Sequence, residues 1–127
     1  RAVLAAWPKA AFEAKSVNDA MSKLFGSADN TPSADIKIKA PDIAENGAVV
    51  PVSVRTSMSN VDSIAVIAEK NGTPLASNFK LSANTVPNVS TRIKMGKTSD
   101  VIAVVKANGK AYSARKNVKV TIGGCGG

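Results

Sequence analysis

The chain of 127 residues has no histidine, one cysteine and only five aromatic residues (Trp7, Phe12, Phe25, Phe79, Tyr112). Each shortage excludes a class of function. Without imidazole the commonest general base is missing, and Ser–His and Cys–His nucleophile pairs go with it. Imidazole metal sites are excluded for the same reason. One thiol can build neither a structural zinc site nor an intrachain disulfide. The three glutamates and six aspartates are scattered, and no pair has the spacing of a carboxylate dyad. A self-contained enzyme is therefore not expected. The net charge is +8, yet aromatics for base stacking are scarce and no recognition motif is present, so nucleic acid is not an expected partner. No run approaches the ~18 apolar residues of a membrane span.

Acidic side chains stop altogether at Asp100, while Lys106, Lys110, Arg115, Lys116 and Lys119 come after it. The last part of the chain is thus expected to be a cationic strand pair. A local positive field attracts anionic ligands or acidic partner clefts. It also favours thiolate over thiol slightly.

At 13.0 kDa and 44% hydrophobic residues the chain has ample material for one core. The apolar mass is Ala, Val and Ile, which suits a thin β-sandwich. The first third differs from the rest. Phe12, Val17, Met21, Leu24 and Phe25 recur at helical spacing. Ser16 with Asp19 three residues later resembles a capping box, and Gly26 stands where a helix end favours a left-handed residue. This predicts a helix over 17–25, preceded by a looser helical stretch over 9–15. Residues 27–34, with Thr31-Pro32-Ser33, read as a linker.

Seven short strands are predicted in the remainder, over 35–39, 48–56, 63–69, 79–81, 89–95, 100–107 and 111–122. Pro51 marks the second of these as an edge or a bulge, and its Val-rich stretch 48–54 is a candidate docking edge for a second subunit. Asn108-Gly109 is a strong hairpin signal. The expected architecture is an all-β, immunoglobulin-like sandwich with a short N-terminal helical segment and a flexible C-terminal arm. The expected organisation is a helical segment and linker over 1–34, a sandwich over 35–122, and the arm over 123–127. The start at Arg1 rather than Met reads as a mature product whose targeting segment is gone.

The arm is Gly123-Gly124-Cys125-Gly126-Gly127. Four glycines have no side chain to pack and the most backbone freedom to lose on ordering. The segment reads as a flexible tether presenting one sulfur, with a reach of roughly 15–18 Å when extended. A thiol in such a place starts near the reference pKa of about 8.5. Its activation would have to come from a partner's active site. Gly123, Gly124, Gly126 and Gly127 would let bare backbone thread a narrow channel, so Cys125 is the candidate carrier nucleophile and the glycines its flexible mount. A prenylation box fails, because it needs three residues after the cysteine and only Gly126 and Gly127 are there.

The pentapeptide 123–127, on a basic seven-strand domain with a helical segment over 12–25 and a hairpin ending in Val118-Lys119-Val120-Thr121-Ile122, resembles the SoxY family of thiosulfate-oxidation carriers. The resemblance implies a covalent sulfur carrier, not an enzyme, that is periplasmic and binds no cofactor of its own. It implies a SoxZ-like subunit as partner. It also implies a c-type cytochrome that joins thiosulfate to Cys125, a dimanganese hydrolase that releases sulfate, and a sulfane dehydrogenase that oxidises the remaining sulfur.

Two other readings stay open at this level. Ubiquitin-like sulfur carriers end in Gly-Gly and react through a terminal thiocarboxylate, which would make Gly127 the reactive residue. A structural sandwich could instead use Cys125 for an intermolecular disulfide, giving a homodimer.

Overall fold

The computed structural model describes residues 8–121. Among these residues the chain runs through α1 (Lys9–Glu13), α2 (Val17–Phe25), β1 (Thr31–Pro32), β2 (Ile36–Lys39), β3 (Ile43–Ala44), β4 (Val50–Thr56), β5 (Val61–Ala68), β6 (Leu75–Lys80), β7 (Asn88–Ile93), β8 (Ser99–Ala107) and β9 (Lys110–Val120). The strands form two sheets. The larger has the order β1-β9-β8-β5-β6, with β3 also on β9, and the smaller has the order β2-β4-β7. This is the expected immunoglobulin-like sandwich. The seven predicted strands are all present, joined by two strands of two residues each, β1 and β3.

The burial pattern explains why some strands alternate and others do not. On β2, β4 and β7 one face is inward and the other faces water, so Val50, Val52 and Val54 are buried while Pro51 and Arg55 are exposed. On β5 and β8 both faces are covered. Ile64, Val66, Val101 and Val105 meet the small sheet in the central core. Ala65, Ile67, Ile102 and Val104 meet Ala11, Ala20 and Met21 of the helices in a second core. Strands buried on both faces read as continuous apolar runs, and Ile64 to Ala68 are all at 0% exposure.

The local signals work as expected. Ser16 Oγ accepts from the Asp19 N–H at 3.1 Å, and Gly26 closes α2 with a left-handed φ of 84°. Asn108 and Gly109 both have positive φ, 54° and 77°, as a type I′ turn requires.

Three expectations are corrected. Thr31–Pro32 is not plain linker; it pairs in parallel with Tyr112 and Ser113 of β9. The strand expected at 79–81 instead covers Leu75–Lys80, because its first residues pair across to Ile67 and Val66 of β5. The Val-rich segment is not an edge either. β4 lies between β2 and β7, and its valines are spent on this chain's own core. Pro51 is tolerated because the β2–β4 ladder stops at Lys39↔Ser53, leaving Pro51 paired on one flank only, opposite Arg92.

Because the helices form the second core with buried Met21, Met21→Ala should cost about 2–5 kcal/mol. Urea denaturation reads this directly. A loss below about 1 kcal/mol would show that the helices are only loosely docked.

Candidate functional site

Cys125 and its flanking Gly123, Gly124, Gly126 and Gly127 lie outside the described residues. What the structure describes is their root, the end of β9 at Val120 and Thr121. The β8–β9 ladder ends at Ser99↔Val118. Beyond it β9 is gripped from two directions. On one, β3 adds a short parallel ladder, Ile43↔Lys119 and Ala44↔Val120. The Lys119 N–H donates to the Asp42 carbonyl at 2.9 Å, and the Thr121 N–H donates to the Ala44 carbonyl at 3.1 Å. On the other, β8 has given out and a side chain replaces it. Thr98 Oγ1 accepts from the Val120 N–H at 2.9 Å and donates to the Val120 carbonyl at 3.5 Å.

Two loops close around this root. The Met95 N–H donates to the Gly47 carbonyl at 2.7 Å. A Cβ on Gly47 would collide with the Met95 carbonyl and lie 3.0 Å from a Val120 methyl. Only glycine permits that approach. Asn71 ties in a third loop: its Nδ2 donates to the Lys94 carbonyl at 2.7 Å, and its Oδ1 accepts from the Gly96 N–H at 3.0 Å.

Together these loops enclose a pocket of about 610 Å³ beside Thr121, with Ala48, Met95 and Val120 among its apolar lining. Lys70, Lys94 and Lys97 stand at its rim against one carboxylate, Glu45. Among the described residues Lys94 and Lys97 form no ion pair. The site can take a small group with an apolar stem and an anionic end.

The expected cationic hairpin is partly neutralised: Arg115 and Lys116 meet carboxylates, while Lys110 and Lys119 form no ion pair among the described residues. Arg115 bonds Asp100 at 2.8 Å and Glu69 at 3.4 Å, Lys116 bonds Asp42 at 2.6 Å, and Lys106 lies over the Phe25 ring at 5.8 Å. These partners come from earlier strands and loops, so the run of cations after Asp100 in sequence is not a run of free charge in space. Besides Lys119, positive charge at the root comes from the loop lysines 70, 94 and 97, which sequence reasoning did not single out. No local signal marks them; they converge through loops more than twenty residues apart.

Asp100 is held below the usual aspartate range. Partial burial raises its pKa, but hydrogen bonds from Asn117 and Arg115 and the charges of Arg115 and Lys70 together outweigh that. The hydrogen bond and charge of Lys116 likewise lower Asp42.

The described part of the site is thus a two-sheet immunoglobulin-like body whose last strand is held on both flanks beside a lysine-lined pocket. A family model described as "Sulfur oxidation protein SoxY" matches residues 21–125, through Cys125. The chain belongs to the SoxY family. The structure of the sulfur carrier protein SoxY from Chlorobium limicola f thiosulfatophilum is similar at 42% identity and a TM-score of 0.76, covering 91% of this chain and 100% of that one. A PKD domain of an M14-like peptidase from a Thermoplasmatales archaeon aligns at 17% identity and a TM-score of 0.49, over 72% of this chain and 98% of that one. No curated protein matches the chain in sequence.

Two predictions concern the root. Thr98→Val keeps the shape and removes both bonds to Val120, so it should cost about 1 kcal/mol and speed amide exchange at Val120. Unchanged exchange there would show that β3 alone holds the strand. For Asp100, a folded pKa below the unfolded value of about 3.9 means stability that is present above that value and lost as pH falls through the folded pKa. Asp100→Asn should therefore flatten the loss of stability below about pH 4, measured by thermal melts across the acid range. A slope identical to the wild type would overturn this assignment.

Proposed function

We propose that this chain is a covalent sulfur carrier whose Cys125 holds thiosulfate-derived intermediates and presents them to separate enzymes. The observation that carries this reading is the SoxY family match running through Cys125, the chain's single cysteine. The match to a sulfur carrier protein over nine-tenths of the chain supports it.

In this reading the chain divides as a body and an arm, with residues 123–127 moving from a fixed root. A c-type cytochrome takes two electrons as the Cys125 thiolate and the sulfane sulfur of thiosulfate join in a disulfide-type bond. A dimanganese hydrolase then adds water and releases sulfate, leaving a persulfide on Cys125. A sulfane dehydrogenase passes electrons from the outer sulfur to an electron-accepting cytochrome while water supplies the oxygens of a sulfonate on the Cys125 sulfur, and a second hydrolysis releases sulfate and frees the thiol. Every intermediate is anionic, which suits the rim lysines at the root. The apolar lining around Met95 and Val120 suits a sulfur chain, which is poorly hydrated. A SoxZ-like subunit accompanies the chain, and the setting is the periplasm. The two-sheet body is not the β-grasp of carriers that react through a terminal thiocarboxylate.

Intact-protein mass spectrometry tests the proposal. Incubation with thiosulfate and an oxidising c-type cytochrome should add a thiosulfate-sized mass to the Cys125 peptide, and reductant should remove it. Cys125→Ser should lose all loading. Loading that survives in Cys125→Ser would move the chemistry to Gly127, and a wild-type thiol that stays bare would sink the carrier reading.

A further inference from the structure

The outer face of the small sheet is a surface that neither the fold nor the root uses. Its outward positions carry Lys37 and Lys39 on β2, Arg55 on β4 and Arg92 on β7, all without cover from the core. Among the described residues of β2, β4 and β7 no acid shares the face, and Asp35 lies at its border. Lys37 and Arg55 stand directly opposite one another in the ladder. Like charges in that position destabilise a sheet, because opposed side chains lie only about 4.5–5.5 Å apart at Cβ. Of the cations elsewhere among the described residues, Lys9 pairs with Glu13, Lys23 with Asp19, Lys116 with Asp42, and Arg115 with Asp100 and Glu69, while the others form no ion pair. Among the described residues none of the four cations on this face forms an ion pair. Even Asp35, which precedes β2 and lines the same shallow depression as Lys37 and Arg55, makes none with them.

The rest of the face is small and polar. Ser53 and Ser90 sit between the cations and bond each other at 2.8 Å. An aromatic platform for bases is missing, as is an apolar wedge for a bilayer. A flat, cationic, hydrogen-bonding sheet face fits the carboxylates of another protein.

Position adds the second half of the inference. Arg92 and Pro51 oppose each other at one end of the face. β7 ends at Ile93, next to Lys94, and β4 begins two residues after Ala48; Lys94 and Ala48 both line the pocket at the root of the arm. A protein seated on the face therefore borders the root.

We propose that the outer face of β2-β4-β7 is an electrostatic docking surface for a carboxylate-rich surface of the enzyme that loads Cys125. The proposal rests on the carrier reading for what the partner does. Its cations guide the encounter and its lack of apolar anchors keeps the complex short-lived, which suits a carrier that must leave again. Steering of this kind raises association rates by about 10- to 1,000-fold and weakens as salt rises.

The test uses the chain as purified, with any subunit that accompanies it, and two double variants, Lys37→Glu/Arg55→Glu and Lys39→Glu/Arg92→Glu. The thermal melt confirms folding, and the rate of N-ethylmaleimide labelling at Cys125 confirms that the thiol is untouched. Thiosulfate loading by the cytochrome should fall about tenfold or more at low ionic strength in each variant, and its salt dependence should shrink. Polyglutamate should bind the wild type and slow its loading, with little effect on either variant. Unchanged loading and an unchanged salt slope in folded variants would overturn the proposal. So would binding to phosphatidylglycerol vesicles in place of polyglutamate, or loss of the accompanying subunit in place of slower loading. If the wild type is never loaded, the carrier reading fails, and polyglutamate binding then decides the acidic docking face alone: binding lost in the variants supports it, and binding unchanged overturns it.

Discussion

The antiparallel ladder between β8 and β9 runs for nine residue pairs, from Ala107↔Lys110 at the turn to Ser99↔Val118. The remainder of the chain depends on how the backbone is held once that ladder stops. A strand end without a neighbour frays, because its N–H and C=O groups gain as much from water as from one another. Here the last residues of β9 pass from β8 to two new partners, the short parallel β3 and the Thr98 side chain. β3 can reach this position because the chain between β2 and β4 crosses from the small sheet to the large one and back. Gly47 then allows its loop to press against Met95 and Val120. The clamp is thus made of long-range pieces, and it fixes the point of departure of the segment beyond Thr121.

The same economy governs charge. β5 and β8 are covered on both faces, so nothing ionic can sit on them beyond their ends. Asp100 sits near the start of β8, where Arg115 and Asn117 of the neighbouring strand reach it. Glu69 lies just past β5 and shares Arg115. Exposed pairs of this kind contribute little to stability. Their effect here is to consume carboxylates close to β9, while unpaired cations remain on the outer small sheet, in the loops at the root and at Lys110 and Lys119 of β9. A net charge read from composition says nothing of that division.

Much of the body was legible in sequence, and the illegible parts share a physical reason. The α2 cap at Ser16, its end at Gly26 and the Asn108-Gly109 turn are set by contacts within a few residues, so local pattern suffices. The alternation of β2 and β7 reports a sheet with one wet face, and the unbroken runs of β5 and β8 report two dry ones. By contrast β1 and β3 are two residues long and pair with strands roughly eighty residues away, which leaves no period to detect. Pro51 carried a correct local meaning, an unpaired flank, and a wrong global one, because the sheet continues on that side from Ser53 onward. Cys125 stands out in the sequence as the one thiol, and it lies outside the described residues. The pocket at its root was not legible, since its lining comes from the ends of β7 and β9 and the loops before β4, after β5 and before β8.

A fixed root and a glycine-rich tip solve different halves of one problem. On the proposed carrier reading, glycine on both sides of Cys125 makes ordering costly each time the segment is held, which would keep any complex formed through it weak. A loose root would add to that cost, because more backbone would have to order on each encounter. On the same reading, clamping β9 through Thr121 would limit the ordering penalty to the few residues that thread a partner. It also fixes the place where those residues begin, so a partner docked on the body finds the thiol within a bounded reach. A thiol that reacts slowly in water and quickly inside the right active site can carry its cargo between enzymes without losing it on the way.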